Sequence, residues 1–91
     1  MEFEWNSHKA IINEKKHGIS FTEAMSCFYD INQIGFYDPD HSQDEDREIL
    51  IGHSNQGTLL VVVYVLKQDI IRIISARKAT SKESKLYAQR I

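Results

Sequence analysis

The stretch TLLVVVYVL, residues 58 to 66, is apolar at odd and even positions alike. A strand with one wet face alternates with period two, so a β-branched run without alternation must be covered on both sides. It predicts the central strand of a sheet with material packed on each face. The run is far shorter than the roughly 20 residues a membrane-spanning helix needs. On either side lie further strand signals. EILIGHS (48 to 54) precedes it across Asn55-Gln56-Gly57, and IIRIISA (70 to 76) follows it across Lys67-Gln68-Asp69. These three form a meander. IGFY (34 to 37) adds another strand ahead of the acidic loop DPDHSQDEDR.

Upstream, EFEW (2 to 5) reads as a short strand with Phe3 and Trp5 on one face. Asn6 caps the next segment, a helix whose apolar side is Ala10, Ile11 and Ile12. Lys15, Lys16 and His17 occupy its last turn, and Gly18 ends it as a glycine after a helix should. Ser20 and Glu23 make a capping box, and Phe21, Ala24, Met25 and Phe28 recur at i, i+3, i+4 and i+7, which predicts a second, amphipathic helix. Thr80 and Glu83 repeat the box and open a last helix with Leu86 and Tyr87 inward. The order is β-α-α-β-β-β-β-α, class α+β, with helices packed on one face of a mostly antiparallel sheet.

A chain of 91 residues, 42% of them hydrophobic, suits one domain over residues 1–91 and leaves no room for two. The single cysteine, Cys27, excludes an internal disulfide framework and sits in apolar MSCFY, as a buried inert thiol does. The charged start MEFEWNSHK lacks the apolar core of a signal peptide, so a reduced, cytoplasmic setting is expected. The net charge of −2 hides an asymmetry. From Asp38 to Glu48 there are six acids and one base, Arg47; from Lys67 onward there are seven bases and two acids. A basic region of that kind attracts a polyanion even when the total charge is negative.

Arg72 stands among four isoleucines and Arg77 ends the same run. A guanidinium is costly to desolvate unless it is paired, exposed or used. Arg72 shares its parity with Ile70, Ile74 and Ala76, while Arg77 belongs with Ile71, Ile73 and Ser75. Strict alternation sends the two to opposite faces; they converge only if the strand ends or bulges near Ala76. With the two early helices on one face, Arg72 belongs to the other, beside the last helix.

FEWNSHKAIINEKKHGISFTEA, YDPDHSQDEDREILIG and IRIISARKAT, with Glu83 and Tyr87 beyond, together resemble the BrnT family of type II toxins. KHGISF and RIISARKAT are the most specific parts, and the resemblance spans nearly the whole chain in register. It implies a RelE-like fold, metal-independent RNA cleavage and growth arrest. It also implies a partner antitoxin, BrnA, through which alone the complex would touch DNA; no membrane is involved. The chain departs from the family pattern at Asn6, usually Asp, and after Glu83, where Ser84 and Lys85 replace a frequent Arg. Lys82 and Lys85 can serve there as point charges.

Cleaving RNA without metal requires a base for the 2′-hydroxyl, cations for the phosphoryl oxygens and an acid for the departing 5′-oxygen. Arg suits the second task because its fork matches two phosphate oxygens. Arg72 and Arg77 are therefore the first candidates, as phosphate clamp and transition-state stabiliser. Their structural alternatives are an ion pair of Arg72 with Glu48 or Asp46, and a solvated strand-end cation at Arg77. A histidine can act as base or acid near neutral pH, which makes His17 a candidate, although a cation before Gly18 also favours the helix dipole; the resemblance decides for catalysis. Lys16 is assigned to RNA phosphate, as is Lys78. Arg47 is a candidate for the same cleft, its alternative a salt bridge to Asp44 or Glu48. Tyr87 can stack on a base or donate a proton, although its place beside Leu86 suits core docking. Glu83 reads as a helix cap and Trp5 as core.

No metal or cofactor is expected. His41 with Asp38 and Asp40 fits neither a calcium loop nor a zinc pattern and reads as an acidic, solvated loop. His8 and His53 have no partners in sequence. The rival to a ribonuclease is a non-enzymatic module that holds nucleic acid or a partner on the same basic face within a repressor complex.

Overall fold

The computed structural model describes residues 1–41, 43 and 45–89, with the side chain of His41 excepted. Its elements are β1 (Glu2–Glu4), α1 (Ser7–His17), α2 (Phe21–Ser26), β2 (Ile34–Asp38), β3 (Arg47–His53), β4 (Leu59–Lys67), β5 (Ile70–Lys78) and α3 (Ser81–Gln89). Single 3-10 turns follow α2 and β2. The five described strands form one sheet in the order β1-β5-β4-β3-β2, so the unbroken apolar run is the middle strand, as expected. All pairings are antiparallel except that of β1 with β5.

Helix starts and stops follow local chemistry. The Asn6 side chain accepts from the Lys9 amide and the Ser20 hydroxyl from the Glu23 amide, each satisfying a donor that the first turn leaves orphaned. Gly18 takes φ 72°, the left-handed value that closes α1 at little cost only for glycine. At the third box Glu83 and Thr80 exchange bonds between side chain and backbone.

One face of the sheet carries α1 and α2. Phe21, Ala24, Cys27 and Phe28 pack there on Leu50, Leu60, Val62, Ile71, Ile73 and Ala76, with Phe3 and Trp5 at the margin. The other face is half covered by α3, whose Tyr87 rests on Ile34, Ile51 and Val61. Both sides of β4 are thus buried, which is what its composition requires.

Of the apolar side expected of α1, Ala10 packs on the core but the two isoleucines do not. Ile11 is 55% and Ile12 49% exposed, whereas Asn13 is 6% exposed. Three hydrogen bonds set this rotation. The Asn13 amide donates to the carbonyls of Ile19 (3.0 Å) and Ala76 (2.9 Å), and its oxygen accepts from the Ala76 amide at 3.1 Å. β1 pairs with β5 only as far as Arg72, so past that point β5 has an edge that no described strand pairs with. Asn13 supplies to Ala76 the donor and acceptor that a neighbouring strand would have offered.

Candidate active site

The pairing of β4 with β5 slips by one residue between Tyr64–Ile73 and Val63–Ser75, leaving Ile74 as a bulge. Its consequence for the arginines is direct. Arg72 is paired with Val65 and Arg77 with Val61, and Val61, Val63 and Val65 share one face of β4. The bulge therefore turns both guanidiniums to the side of the sheet opposite α1 and α2. β3 starts at Arg47, one residue before the expected start, which puts Arg47 in the sheet opposite Val65. Arg47, Val65 and Arg72 then form one cross-strand row; Ile49, Val63 and Ser75 form the next, and Ile51, Val61 and Arg77 the third.

A cavity of about 420 Å³ opens over these rows, lined by Asp38, Asp40, Arg47, Ile49, Val61, Val63, Ser75 and Arg77. Its floor is apolar and its walls are charged, so an anion placed there meets arginines from two strands. Ser75 also borders a second groove of about 210 Å³, formed with Ile74 by Lys9, Ile12, Asn13, Lys16 and His17 of α1. The structure thus brings Arg47 and Arg77 into one cavity, and Lys16 and His17 into its neighbour. Arg72 stands one row from Ser75 on the same face. Lys78 pairs with Leu60, whose side chain faces α1 and α2, and it lines neither cavity. Lys9 escaped the sequence reading, although it falls at i, i+4, i+7 and i+8 with Asn13, Lys16 and His17, the spacing of one helical face.

Both strand-5 arginines meet carboxylates. Arg77 binds Glu83 with two bonds of 2.8 Å, one from each terminal nitrogen. This fork-to-fork pair is the strongest arrangement the two side chains allow. The hydrogen bonds from Arg77 hold the Glu83 carboxyl down at about 2, while Glu83 raises Arg77 above its ordinary value. Glu83 is thus more than the expected helix cap: it ties the first turn of α3 to the end of β5. Arg72 approaches Glu45 at 4.0 Å, not the expected Glu48 or Asp46, and Glu45 also lies 4.0 Å from Arg47. Glu48 is opposite Tyr64 and so faces the helices, and Asp46 accepts from the Tyr37 hydroxyl at 3.1 Å. The other partner expected for Arg47, Asp44, lies outside the described residues.

Tyr87, a candidate RNA contact by sequence, is 4% exposed. Its hydroxyl donates to Asp30 at 2.6 Å and lies 3.2 Å from the His53 ring, which sits edge-on to it. Burial, reinforced by Asp30, pushes the phenol up to about 12. The ring offers no face to a base and holds its proton at neutral pH, so the core reading prevails. Burial acts to raise Asp30, but bonds from Tyr87 and from the His53 and Asn32 amides outweigh it and leave the carboxyl lowered. His53, without a role by sequence, is therefore part of the anchor of α3. Tyr87→Phe is expected to cost about 1.5–3 kcal/mol of stability in urea unfolding, the worth of a hydrogen bond to a charged group, with RNA binding unchanged. A weakened RNA affinity at full stability would return Tyr87 to the interface.

The thiol of Cys27 is buried and pushed up to about 12, first by burial, then by Glu23 and Asp30, so it is no nucleophile. Among the described residues, no group of three or more His, Cys, Asp or Glu could hold a metal ion. The metal reading of His41 involves a side chain outside the described residues; Asp38 and Asp40 line the cavity beside Arg47. No described helix is long and apolar enough to cross a membrane.

The fold is similar to that of the Brucella abortus ribonuclease toxin BrnT, known from a 1.1 Å crystal structure. The TM-score is 0.64 at 21% identity, over 89% of this chain and 99% of that one. Comparison with curated proteins gives no match. The family model for the ribonuclease toxin BrnT, of type II toxin–antitoxin systems, matches residues 5–83. With most of its length matched, the chain belongs to the BrnT family of ribonuclease toxins of type II toxin–antitoxin systems.

Proposed function

We propose that this chain cleaves RNA without a metal ion in the cytoplasm and thereby arrests growth, and that a BrnA-like antitoxin neutralises it. The observation that carries the reading is the bulge at Ile74, which sets Arg72 and Arg77 on one face beside Arg47. A 2′-hydroxyl attacking its neighbouring phosphorus builds charge on the phosphoryl oxygens, and these fixed guanidiniums are placed to receive it. Arg77, oriented by Glu83 and by a bond from Nη1 to the Lys78 carbonyl, keeps Nε and one N–H of Nη2 for the phosphate, with Arg47 across the cavity and Arg72 at its flank. Ser75 connects this cavity with the groove of His17, which serves as base or acid. Glu83 is a poor base, since a carboxyl held at about 2 has little affinity for a proton. Lys16 binds substrate phosphate. The antitoxin covers the arginine face with acids and alone brings the complex to DNA.

Purified protein incubated with total RNA tests this reading. The expected result is fragments that form equally in EDTA and are lost with Arg72→Ala. RNA that stays intact while it binds in low salt would instead make the chain a binding module. Cleavage abolished by EDTA would overturn the metal-free mechanism.

A further inference from the structure

We infer that the groove between α1 and the bulge of β5 is a second phosphate subsite, so that the substrate is single-stranded RNA held at two successive phosphates. This rests on the ribonuclease reading and deepens it. In the arginine cavity Asp38 and Asp40 stand beside Arg47, and Arg77 of β5 is bound to Glu83, so carboxylates offset part of the positive charge on both sides. A polyanion held in this cavity gains from further cations within its reach. There Ser75 leads into the neighbouring groove, which among the described residues carries Lys9, Lys16 and His17 and no acid.

The fold explains why the way is open. β1 stops pairing at Arg72, so no described strand walls off Ser75, and Asn13 bonds the Ala76 backbone at that edge. Lys9 and Lys16 are exposed and project from the same helical face as Asn13. Ile12 gives the groove an apolar side against which a ribose can rest. The backbone of an RNA strand thus runs from the guanidiniums around the edge of β5 onto α1, with Lys9, unassigned by sequence, as a binding residue.

The test is a short oligonucleotide built around one bond that the protein cuts in total RNA, 2′-O-methylated elsewhere. The phosphate on one or the other side of that bond is replaced by an uncharged methylphosphonate. The intact protein is expected to cut one of the two neutralised substrates about tenfold more slowly, the effect of losing one charge-assisted contact. The Lys9→Gln/Lys16→Gln protein, its fold checked by circular dichroism, is expected to be slow on the charged substrate and no slower on the neutral one. Equal rates of the intact protein on all three substrates would overturn the subsite, as would losses that simply multiply. Failure of the folded parent to cut total RNA is the separate result that removes the ribonuclease reading, and the subsite with it.

Discussion

Arg77→Ala protein is expected to fold and to cut RNA 100- to 1,000-fold more slowly, the range for loss of one preorganised donor to a developing oxyanion. Arg77→Lys should recover little of this, because an ammonium cannot bind Glu83 and a phosphate through separate edges of a planar fork. The stability change should be small. The Arg77 side chain is 41% exposed and that of Glu83 24%, so solvent screens much of the attraction. Glu83→Gln discriminates further. It leaves the charge of Arg77 in place but loosens its aim, so kcat should fall about tenfold with KM unchanged or lower. A rise in KM with constant kcat would make Arg77 a binding residue and leave transition-state stabilisation to Arg47 and Arg72.

The same pair leaves a signature in acid. Bonding to Arg77 depresses Glu83 from its ordinary 4.5 to about 2. A group depressed on folding stabilises the native state above its unfolded value and loses that contribution as pH falls through its folded value. The urea midpoints of parent and Arg77→Ala protein should therefore differ at pH 5 and converge as pH falls from about 4.5 toward 2.

Much of the frame was legible in the sequence. The caps at Asn6, Ser20 and Thr80 and the stop at Gly18 are local devices, and local chemistry can be read from local residues. The non-alternating run at β4 dictated two covered faces because burial on both sides leaves no polar positions. The site was harder to read, for a specific reason. Arg72 and Arg77 have opposite parity, and only the extra residue at Ile74 places them on one face. No glycine marks that bulge, and its position depends on how β4 and Asn13 grip the strand at once. The carboxylate partners were hidden in the same way. Glu48 is near in sequence but faces the helices, whereas Glu45, outside the strands, lies 4.0 Å from Arg72. In α1, two isoleucines suggested the buried side, and three hydrogen bonds of one asparagine determined another.

That asparagine should be among the residues least tolerant of change. Asn13→Ala removes two donors and one acceptor at once and strands the Ala76 amide and the carbonyls of Ala76 and Ile19 in a site only 6% exposed at Asn13. Each buried group left unsatisfied costs about 1–3 kcal/mol, and water entering the space left behind recovers part, so the expected loss is about 3 kcal/mol. For a domain of this size, total stability is on the order of 5–14 kcal/mol, so the midpoint of urea unfolding should fall clearly at constant slope. Asn13→Asp should do no better, since it keeps the acceptor for the Ala76 amide but sets a carboxylate against two carbonyls. Activity should fall as well, below the temperature at which the variant unfolds. The bulge at Ile74 lies between Arg72 and Ala76, so releasing Ala76 frees the strand to regain its regular register, which would return the two arginines to opposite faces. A loss under about 1 kcal/mol with full cleavage would show that β4 alone holds the bulge.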